Sequence, residues 1–383
     1  MIYFDNSATT KPYEAVLEAF VDVGRQFYGN PSSLHVLGGK AEKLLTKARE
    51  QIAHLAGAAP GEIYFTSGGS EGNNLAIKGT ALMYRDRGKH IITTSVEHPS
   101  VREACEQLRA LGYKITYIPV NKDGHIDPDD ILHSMTDQTI LVSVIHVNNE
   151  VGTIQPVTQI GKLLKKYPKV LYHVDHVQGA AKVPLDLHDS HIDICTFSAH
   201  KFHGLKGNGF VFIRKGVTIA PLISGGNQEN GMRSGTENTA GIVAMAKAFR
   251  MAEEKRKSEM EKLLEIRTYL MNEFKKMPEL LVHTPDEQAA PHIINVSCVG
   301  LKGEVAVHGL SEEGVIVSTT SACSSKDKTP SGTLKAMGVS DPVANGAIRI
   351  SLSYENTMDE AKQMVDALQK VLARLTKVMR RNG

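Results

Sequence analysis

The sequence has no tryptophan and only four cysteines, and its charges nearly cancel. Cys105, Cys195, Cys298 and Cys323 are far apart and form no C-x-x-C pair. This spacing argues against a disulfide framework and against a structural zinc site, so we expect reduced thiols in a cytoplasmic protein. With 44 Lys+Arg against 42 Asp+Glu, the net charge of +2 gives no reason to expect direct nucleic-acid or anionic-membrane binding.

Long apolar runs are also missing, since no stretch of about 18 apolar residues occurs. The first residues, MIYFDNSATTKPYE, lack the basic start and apolar run of a signal peptide. We therefore expect neither a membrane span nor a leader. The 383 residues, 41% of them hydrophobic, instead predict a globular chain with two to three domains' worth of core.

Helical and strand patterns alternate along most of the chain, starting with an apolar helical stripe at residues 37–55. Short apolar runs predict strands at 62–66, 90–94, 114–119, 139–147, 170–175, 193–198 and 209–213. Because these runs are continuous rather than alternating, they predict a mainly parallel sheet with helices on both faces. After residue 236 we predict a long helix at 237–277, strands at 292–300 and 347–353, and a final amphipathic helix. The pattern indicates an α/β domain followed by a smaller α+β domain.

A glycine-rich loop, T66-S-G-G-S-E-G-N-N74, follows one predicted strand and opens a helix. Gly68 and Gly69 would let backbone N–H groups approach a phosphate at the helix amino terminus. An ordinary glycine-rich turn explains this loop equally well when it is taken alone. The loop matches neither Walker A nor G-x-G-x-x-G, which disfavours nucleotide binding.

Two further residues with chemical potential follow predicted strands. Asp175 ends one strand, and Lys201 lies in the turn S198-A-H-K-F-H-G204 after the next. Taken singly, a solvated aspartate and a surface lysine are the simpler interpretations, and His200 and His203 lack the further ligands of a metal site. Together with a phosphate loop, however, they are what pyridoxal phosphate requires. Its phosphate, pyridine nitrogen and aldehyde need an anion site, a carboxylate and a lysine amine respectively.

The whole chain resembles the NifS/IscS-like cysteine desulfurases of the pyridoxal-phosphate-dependent class-V aminotransferase family. The segments that carry the resemblance are D5-N-S-A-T-T10, Y28-G-N-P-S-S-L-H35, T66–N74, E97-H-P, V147-N-N-E-V-G152, H173-V-D-H-V-Q178, S198-A-H-K201, R233-S-G-T-E-N238, S321-A-C-S324 and R349-I-S-L-S353. The resemblance implies the PLP-dependent transferase fold type I, with a seven-stranded-type sheet. It implies a large cofactor-binding domain at 12–255 and a small α+β domain formed by 1–11 and 256–383, which carries a catalytic cysteine loop at about 321–333.

The same resemblance assigns residues to the cofactor. Lys201 is expected to bind its aldehyde, Asp175 its pyridinium nitrogen and Gln178 its ring hydroxyl. His98 is expected to stack on the ring and is a candidate proton carrier, as is Lys201. The expected phosphate ligands are Gly69, Ser70, Ser198 and His200, together with Thr236 from the neighbouring subunit of a homodimer.

Arg349 is the candidate clamp for the substrate α-carboxylate, because its planar guanidinium binds a carboxylate through two hydrogen bonds. Without the resemblance, a surface salt bridge would be the ordinary interpretation of this arginine. Asn149 is expected to help hold the substrate carboxylate or a cofactor oxygen. His35 is expected to border the substrate.

Cys323 is the candidate nucleophile, since it lies in S-A-C-S-S-K-D-K-T-P-S-G-T, a polar loop of small residues of the kind usually exposed. Cys195 and Cys298 fall in apolar strands and Cys105 in a helical stretch, so we expect them in the core. The implied reaction converts L-cysteine to L-alanine and leaves a persulfide on Cys323. The sulfur would pass to an acceptor protein for iron–sulfur cluster assembly or for tRNA or cofactor thiolation.

Other functions stay open at this stage. A selenocysteine lyase or another class-V aminotransferase is one alternative, and a non-catalytic dimeric scaffold for sulfur-transfer partners is another. The chain departs from the family pattern at His176, Leu205, Asn227 and Ser353, where the family usually has Ala, Pro, Gly and Gly. These departures remove no part that the reaction needs, but they leave a dedicated thiolation pathway as an alternative to iron–sulfur assembly.

Overall fold

The computed structural model describes residues 1–319 and 331–382. The strands are β1 (Ile2–Tyr3), β2 (Ile63–Thr66), β3 (His90–Thr94), β4 (Lys114–Ile118), β5 (Thr139–Ile145), β6 (Leu171–Asp175), β7 (Ile194–Ser198), β8 (Gly209–Ile213), β9 (Leu280–Val282), β10 (Ile293–Cys298), β11 (Val315–Ile316), β12 (Ser318–Thr319) and β13 (Ala347–Ser351). The helices are α1 (Glu14–Gln26), α2 (Val36–Ala56), α3 (Gly69–Met83), α4 (Pro99–Ala110), α5 (Pro128–Ser134), α6 (Val157–Leu164), α7 (Thr239–Lys275), α8 (Gly303–Glu312), α9 (Gly332–Ala336), α10 (Asp341–Ala344) and α11 (Met358–Asn382).

The central sheet has seven strands in the order β2-β8-β7-β6-β5-β3-β4. All are parallel except β8, which runs antiparallel to both β2 and β7. The predicted α/β class and mainly parallel seven-stranded sheet are therefore confirmed. The run predicted at 139–147 ends as a strand at Ile145, because Val147 turns away to an isolated bridge with Ile154.

Alternating side chains on the central strands pack against helices on opposite faces of the sheet. Ile92 and Val142 belong to the core on the side of α2, α6 and the first half of α7. Ile91 and Leu141, one residue earlier on the same strands, belong to the core on the side of α3 and α4. Burial on both faces explains why these strands read as continuous apolar runs.

A second, antiparallel sheet of four strands has the order β12-β13-β10-β9. Its core includes α8, α11 and the second half of α7. Helix α7 has 37 residues and is about 55 Å long, so it contributes to both cores. Its residues up to Ala252 pack in the first core, and those from Leu263 pack in the second. The division at 255/256 falls between these two sets, and the domain boundaries stay a prediction.

The candidate site forms where carboxyl ends of central strands meet the amino-terminal segment. Asp175 ends β6, and the turn that holds Lys201 follows β7. The amino-terminal segment reaches this edge, where the Thr10 N–H and hydroxyl both donate to the carbonyl of His200 at 2.9 Å. This is the edge at which open α/β sheets bind ligands. Among the described residues, no helix is both long enough and apolar enough to cross a membrane.

Candidate active site

Asp175 is buried at the end of β6, with only 3% of its surface exposed. Its Oδ2 accepts a hydrogen bond from the side-chain amide of Asn73 at 2.7 Å, and its Oδ1 accepts from the Val177 N–H at 3.0 Å. Both donors are uncharged amides. A buried carboxylate held in this way retains capacity for a cationic partner, as a protonated ring nitrogen would be.

His98 connects to Asp175 through two intervening side chains. The Asn73 amide also donates to the Ser100 hydroxyl at 2.9 Å, and Ser100 lies 2.8 Å from Nδ1 of His98. Nδ1 further accepts the Ser100 backbone N–H at 3.1 Å, which caps α4. Burial lowers the pKa of His98, against the opposing effect of Asp175, so the neutral ring carries its proton on Nε2.

Lys201 lies half-buried in the turn after β7, with its amine on the amino-terminal segment. Nζ donates to the carbonyl of Ser7 at 2.5 Å and to that of Ala8 at 2.8 Å. The Gln178 side-chain amide donates to the same Ser7 carbonyl at 3.0 Å. The structure thus brings Lys201 and Gln178 together on one backbone oxygen.

The amino end of α3 packs closely against the end of β7. Its cap residue Gly68 has φ +148° and supplies no side-chain cap, so the first N–H groups of the helix stay available to an anion. A Cβ on Gly69 would lie 2.8 Å from Cγ2 of Val177 and 3.5 Å from Cβ of Ser198. Glycine at position 69 is therefore what lets the helix end approach these neighbours, and Ser70 is exposed beside it.

Comparison with known proteins identifies the family. The family model for class-V aminotransferases matches residues 2–364. The chain belongs to the class-V aminotransferase family. Members of this family use pyridoxal phosphate, and the resemblance predicted from the sequence motifs is confirmed.

Relatives match over nearly the whole chain. A NifS/IcsS protein homolog of Lactobacillus delbrueckii subsp. bulgaricus is 44% identical, over 99% of both chains. The cysteine desulfurase IscS of Dictyoglomus turgidum is 42% identical, over 98% of this chain and 95% of its own.

Solved structures agree with this assignment and confirm the predicted transferase fold. A NifS-like protein superposes with a TM-score of 0.92 at 39% identity, covering 97% of this chain and 99% of the other. A structure of SspA in complex with cysteine gives 0.81 at 33% identity, covering 92% and 99%.

The residues of this class-V chain fit the cofactor of the family. A helix end without a side-chain cap lies beside Ser198, a buried carboxylate has only uncharged donors, and the lysine amine shares the Ser7 carbonyl with Gln178. Oδ1 of Asn73, next to Asp175, is buried without a hydrogen-bond partner among the described residues. An unpaired buried acceptor at this point is expected of a pocket that a polar ligand completes.

Arg349 is buried on β13 and already holds several partners. Nη1 donates to the carbonyl of Asn149 at 2.8 Å, and Nη2 donates to Asp5 and to the Ser318 hydroxyl, both at 3.2 Å. Its Nε–H is buried and has no partner among the described residues. Arg349 therefore lies beside Asn149 and has donor capacity left for an anion.

Two further predicted site residues are exposed, and a third lies outside the described residues. His35 is exposed, and its Nδ1 caps α2 by accepting the Gly38 N–H at 3.1 Å. Thr236 is exposed on the loop before α7. Cys323 lies outside the described residues. Cys105, Cys195 and Cys298 are buried, as predicted.

His200 contacts the amino-terminal segment through Nδ1, 3.2 Å from the Thr9 hydroxyl. Burial and the nearby Lys201 lower the pKa of His200 to about 3, so this ring stays neutral. A neutral imidazole can donate one hydrogen bond to a phosphate without adding charge.

The sequence did not predict a buried polar cluster that contacts the backbone of Lys201. Lys182 donates to the backbone carbonyl of Lys201 at 2.7 Å, and burial lowers its pKa to about 8. His176 stacks on His146, with their Nδ1 atoms 2.7 Å apart, and its edge meets Phe197. The His176 departure from the family pattern therefore fills a buried site and pairs with another histidine.

Sequence analysis also missed Asn73 and Ser100, which link Asp175 to His98. A signal was available, because Asn73 follows Gly69 by four residues and so lies on the same face of α3. Ser100 lies directly after the H-P pair that opens α4. Helical spacing counted from a predicted phosphate loop would have selected Asn73.

Proposed function

We propose that this chain is a PLP-dependent cysteine desulfurase that converts L-cysteine to L-alanine and leaves the sulfur as a persulfide on Cys323. The observation that carries the proposal is the convergence of the Lys201 amine, buried Asp175 and the free end of α3. Relatives named cysteine desulfurase and a similar structure bound to cysteine support the choice of substrate.

We assign the cofactor contacts to the residues of this cluster. When bound, pyridoxal phosphate supplies a covalent site for the substrate amine and an electron sink for the carbon beside it. Lys201 would hold its aldehyde, Asp175 its ring nitrogen and Gln178 its ring hydroxyl. The phosphate ligands would be Gly69, Ser70, Ser198 and His200.

His98 and Lys201 would hold and accept protons, respectively, during the reaction. The neutral His98 ring accepts at Nδ1 from Ser100, so its free Nε2–H is a donor. The Lys201 amine, which donates to the Ser7 and Ala8 carbonyls here, would become neutral once the substrate amine takes its place on the cofactor, and its lone pair could then accept a proton. Lys201 would thus be the base, and His98 would keep its Nε2 proton as a hydrogen-bond donor, because a neutral imidazole is too weak an acid to release it.

Arg349 would bind the substrate carboxylate through its unpaired Nε–H and the remaining donor capacity of its guanidinium. Asn149, whose carbonyl already orients Nη1, would assist at the carboxylate or at a cofactor oxygen. His35 would border the substrate from the exposed start of α2. These contacts would orient the sulfur of L-cysteine for attack.

Cys323 would carry out the sulfur transfer. Its thiolate attacks the sulfur of the bound L-cysteine, so an S–S bond forms while the C–S bond breaks. The electron pair of the broken bond stays on the β-carbon, which takes up a proton and gives L-alanine. The thiol of Cys323 has become a persulfide, and no external oxidant or reductant is needed.

We further propose that the enzyme acts as a cytoplasmic homodimer that passes this sulfur to an acceptor protein. Leu34 and Val36 are large apolar side chains that are fully or largely exposed at the start of α2, as expected of an interface. Thr236 is exposed and would reach the phosphate of the neighbouring subunit. The acceptor would serve iron–sulfur cluster assembly or a dedicated route such as tRNA thiolation.

The Cys323→Ala variant tests the proposal. The purified holoenzyme should absorb visible light and form L-alanine from L-cysteine. The variant should keep the absorbance but lose persulfide formation and alanine release, because it lacks the attacking sulfur. Ser324→Ala, in the same segment, is the matched control and should keep both activities.

The reaction products distinguish the proposed desulfurase from the alternative functions. A keto acid in place of alanine would indicate transamination, and activity on selenocysteine alone would indicate a lyase. Wild-type protein that does not bind pyridoxal phosphate would favour a scaffold. Alanine formation by Cys323→Ala at the rate of the wild type would remove Cys323 from the reaction.

A further inference from the structure

The turn at residues 148–150 contacts the chain after the Cys323 segment directly, and it contacts the chain before that segment through Arg349. Before that segment, the Ser318 hydroxyl accepts from Nη2 of Arg349 at 3.2 Å. Nη1 of the same guanidinium donates to the carbonyl of Asn149 at 2.8 Å. The chain therefore enters the segment next to the candidate carboxylate clamp.

After the segment, the chain returns to the neighbouring residue of the same turn. The carboxylate of Glu150 accepts hydrogen bonds from the hydroxyls of Ser331 and Thr333, the latter at 3.0 Å. Ser331 and Thr333 are each only 4% exposed. The chain after the segment therefore contacts Glu150 directly, and the chain before it is linked to Asn149 by the Arg349 guanidinium.

We propose that Glu150 is a positioning residue: it fixes the carboxyl-terminal end of the Cys323 segment beside the Asn149–Arg349 contact. The inference rests on the proposed function for its chemical meaning, since the thiol must meet a substrate held at Arg349. Glu150 itself would touch neither substrate nor cofactor. It would act through Ser331 and Thr333.

The local geometry makes this contact specific. The Ser331 hydroxyl donates to Glu150 and accepts the Leu334 N–H at 3.0 Å, so it also caps α9. The Thr333 hydroxyl donates to Glu150 and lies 3.4 Å from the side-chain amide of Asn148. Each hydroxyl is therefore used as donor and acceptor, and one carboxylate satisfies both.

The turn that carries Glu150 is itself rigid. Oδ1 of Asn148 accepts the N–H groups of Glu150 and Val151, both at 2.9 Å, and the Glu150 carbonyl accepts from the Asn295 side chain at 3.1 Å. Val151 packs with Leu334 of α9 in a small apolar cluster. A side chain on such a support can hold its partners within a narrow range of positions.

The charges around Glu150 favour the contact. Burial raises the pKa of Glu150, while the two hydroxyls and the cations of Arg349 and Arg102 oppose this rise. Arg102 approaches the start of α9, with Nη1 3.8 Å from the position of a Cβ on Gly332. The two hydroxyl donors and the two nearby arginines therefore favour a hydrogen-bond acceptor such as a carboxylate at position 150.

The Glu150→Leu variant removes both acceptors at similar side-chain size, and Glu150→Gln is its matched control. Glutamine keeps one acceptor, and its amide can donate to the second lone pair of the other hydroxyl, so both side chains stay hydrogen-bonded although that hydroxyl proton loses its acceptor. In single turnover of the holoenzyme, we expect Glu150→Leu to form the Cys323 persulfide about tenfold more slowly, with KM for L-cysteine within about twofold of wild type. Glu150→Gln should lie close to wild type.

A second readout does not depend on activity. Lys326 and Lys328 lie in the segment, so trypsin cleavage there reports how firmly its end is held. We expect Glu150→Leu to be cleaved several-fold faster than Glu150→Gln, with unchanged visible absorbance. The double variant Ser331→Ala/Thr333→Val removes the same two bonds from the other side and also the cap of α9, so it should be cleaved at least as fast as Glu150→Leu, without adding to that variant.

Equal cleavage of the leucine and glutamine variants would overturn the inference, as would a rise in KM without slower persulfide formation. If Glu150→Leu fails to fold, the Ser331/Thr333 variant decides the same question. Failure of the proposed function is distinguishable, because wild-type protein would then form no persulfide while the tryptic comparison still measures the contact.

Discussion

At the scale of single residues, the site depends on side chains that hold other side chains. Asn73 donates to both Asp175 and Ser100, and Lys182 supports the backbone of Lys201. None of these supporting residues has a motif of its own. Asn73 could have been selected by helical spacing from the predicted phosphate loop, whereas the role of Lys182 follows only from positions that the fold brings together.

His176 gives a stability prediction at this scale. The change His176→Ala leaves Nδ1 of His146 without its 2.7 Å partner in a fully buried site, so the free energy of unfolding should fall by about 1–3 kcal/mol. Urea unfolding followed by circular dichroism measures this change. The exposed His308 is the control, and His308→Ala should change the free energy by less than about 0.5 kcal/mol.

A loss no larger for His176→Ala than for His308→Ala would mean that the histidine pair adds nothing to stability. Cofactor absorbance should be followed in parallel, since His176 directly follows Asp175. If the cofactor absorbance of His176→Ala changes while its free energy of unfolding does not, His176 affects the cofactor site and not the stability of the core.

At the scale of secondary structure, the close approach of α3 to β7 forms the surface proposed to bind the cofactor phosphate. The Gly69→Ala variant should weaken pyridoxal phosphate binding by at least tenfold, because its Cβ would lie 2.8 Å from Val177 and force the helix end outward. Equilibrium dialysis of the apoprotein with the cofactor measures the affinity. Gly24→Ala, in α1 with open space around it, is the control and should bind as wild type.

If Gly69→Ala binds pyridoxal phosphate as tightly as wild type, the Val177 side chain must move to make room for the Cβ while the helix end stays in place. The folding of both variants can be compared by thermal melting. Gly24→Ala should be slightly stabilised, by up to about 1 kcal/mol, because alanine is the better helix former.

Most elements could be predicted from sequence because their burial pattern is local. The runs at 90–94 and 209–213 match β3 and β8 residue for residue. The antiparallel direction of β8 could not be predicted, since strand direction depends on connections between distant residues. The site was predictable where motif and strand end coincide, as at Asp175, but not where a contact joins distant turns, as at Glu150.

At the scale of the whole molecule, buried neutral histidines predict acid sensitivity. Burial lowers the pKa of His146, His203 and His283 to about 4 and that of His173 to about 3. Unfolded histidine has a pKa near 6.5, so between about pH 4 and 6.5 the unfolded chain binds more protons. Stability should therefore fall as the pH falls through this window, by up to about 1.4 kcal/mol per pH unit for each histidine.

Buried carboxyls act in the opposite direction but are fewer. Burial raises the pKa of Glu97 to about 8, so the folded state holds an extra proton there and stability gains as the pH falls. Urea unfolding at several pH values should still show a net loss below pH 6.5. His173→Gln should reduce this slope, whereas the exposed His133→Gln should not, and equal slopes would contradict the assignment.

Helix α7 also limits how the two sheets can move. It contains neither proline nor glycine between Ile242 and Lys275, so it has no ordinary point for a kink, and both its halves are buried in separate cores. A hinge rotation of one sheet relative to the other would have to bend helix α7. If Cys323 transfers sulfur as proposed, the distance from the bound substrate at which an acceptor can dock is limited by the number of residues between Thr319 and Ser331.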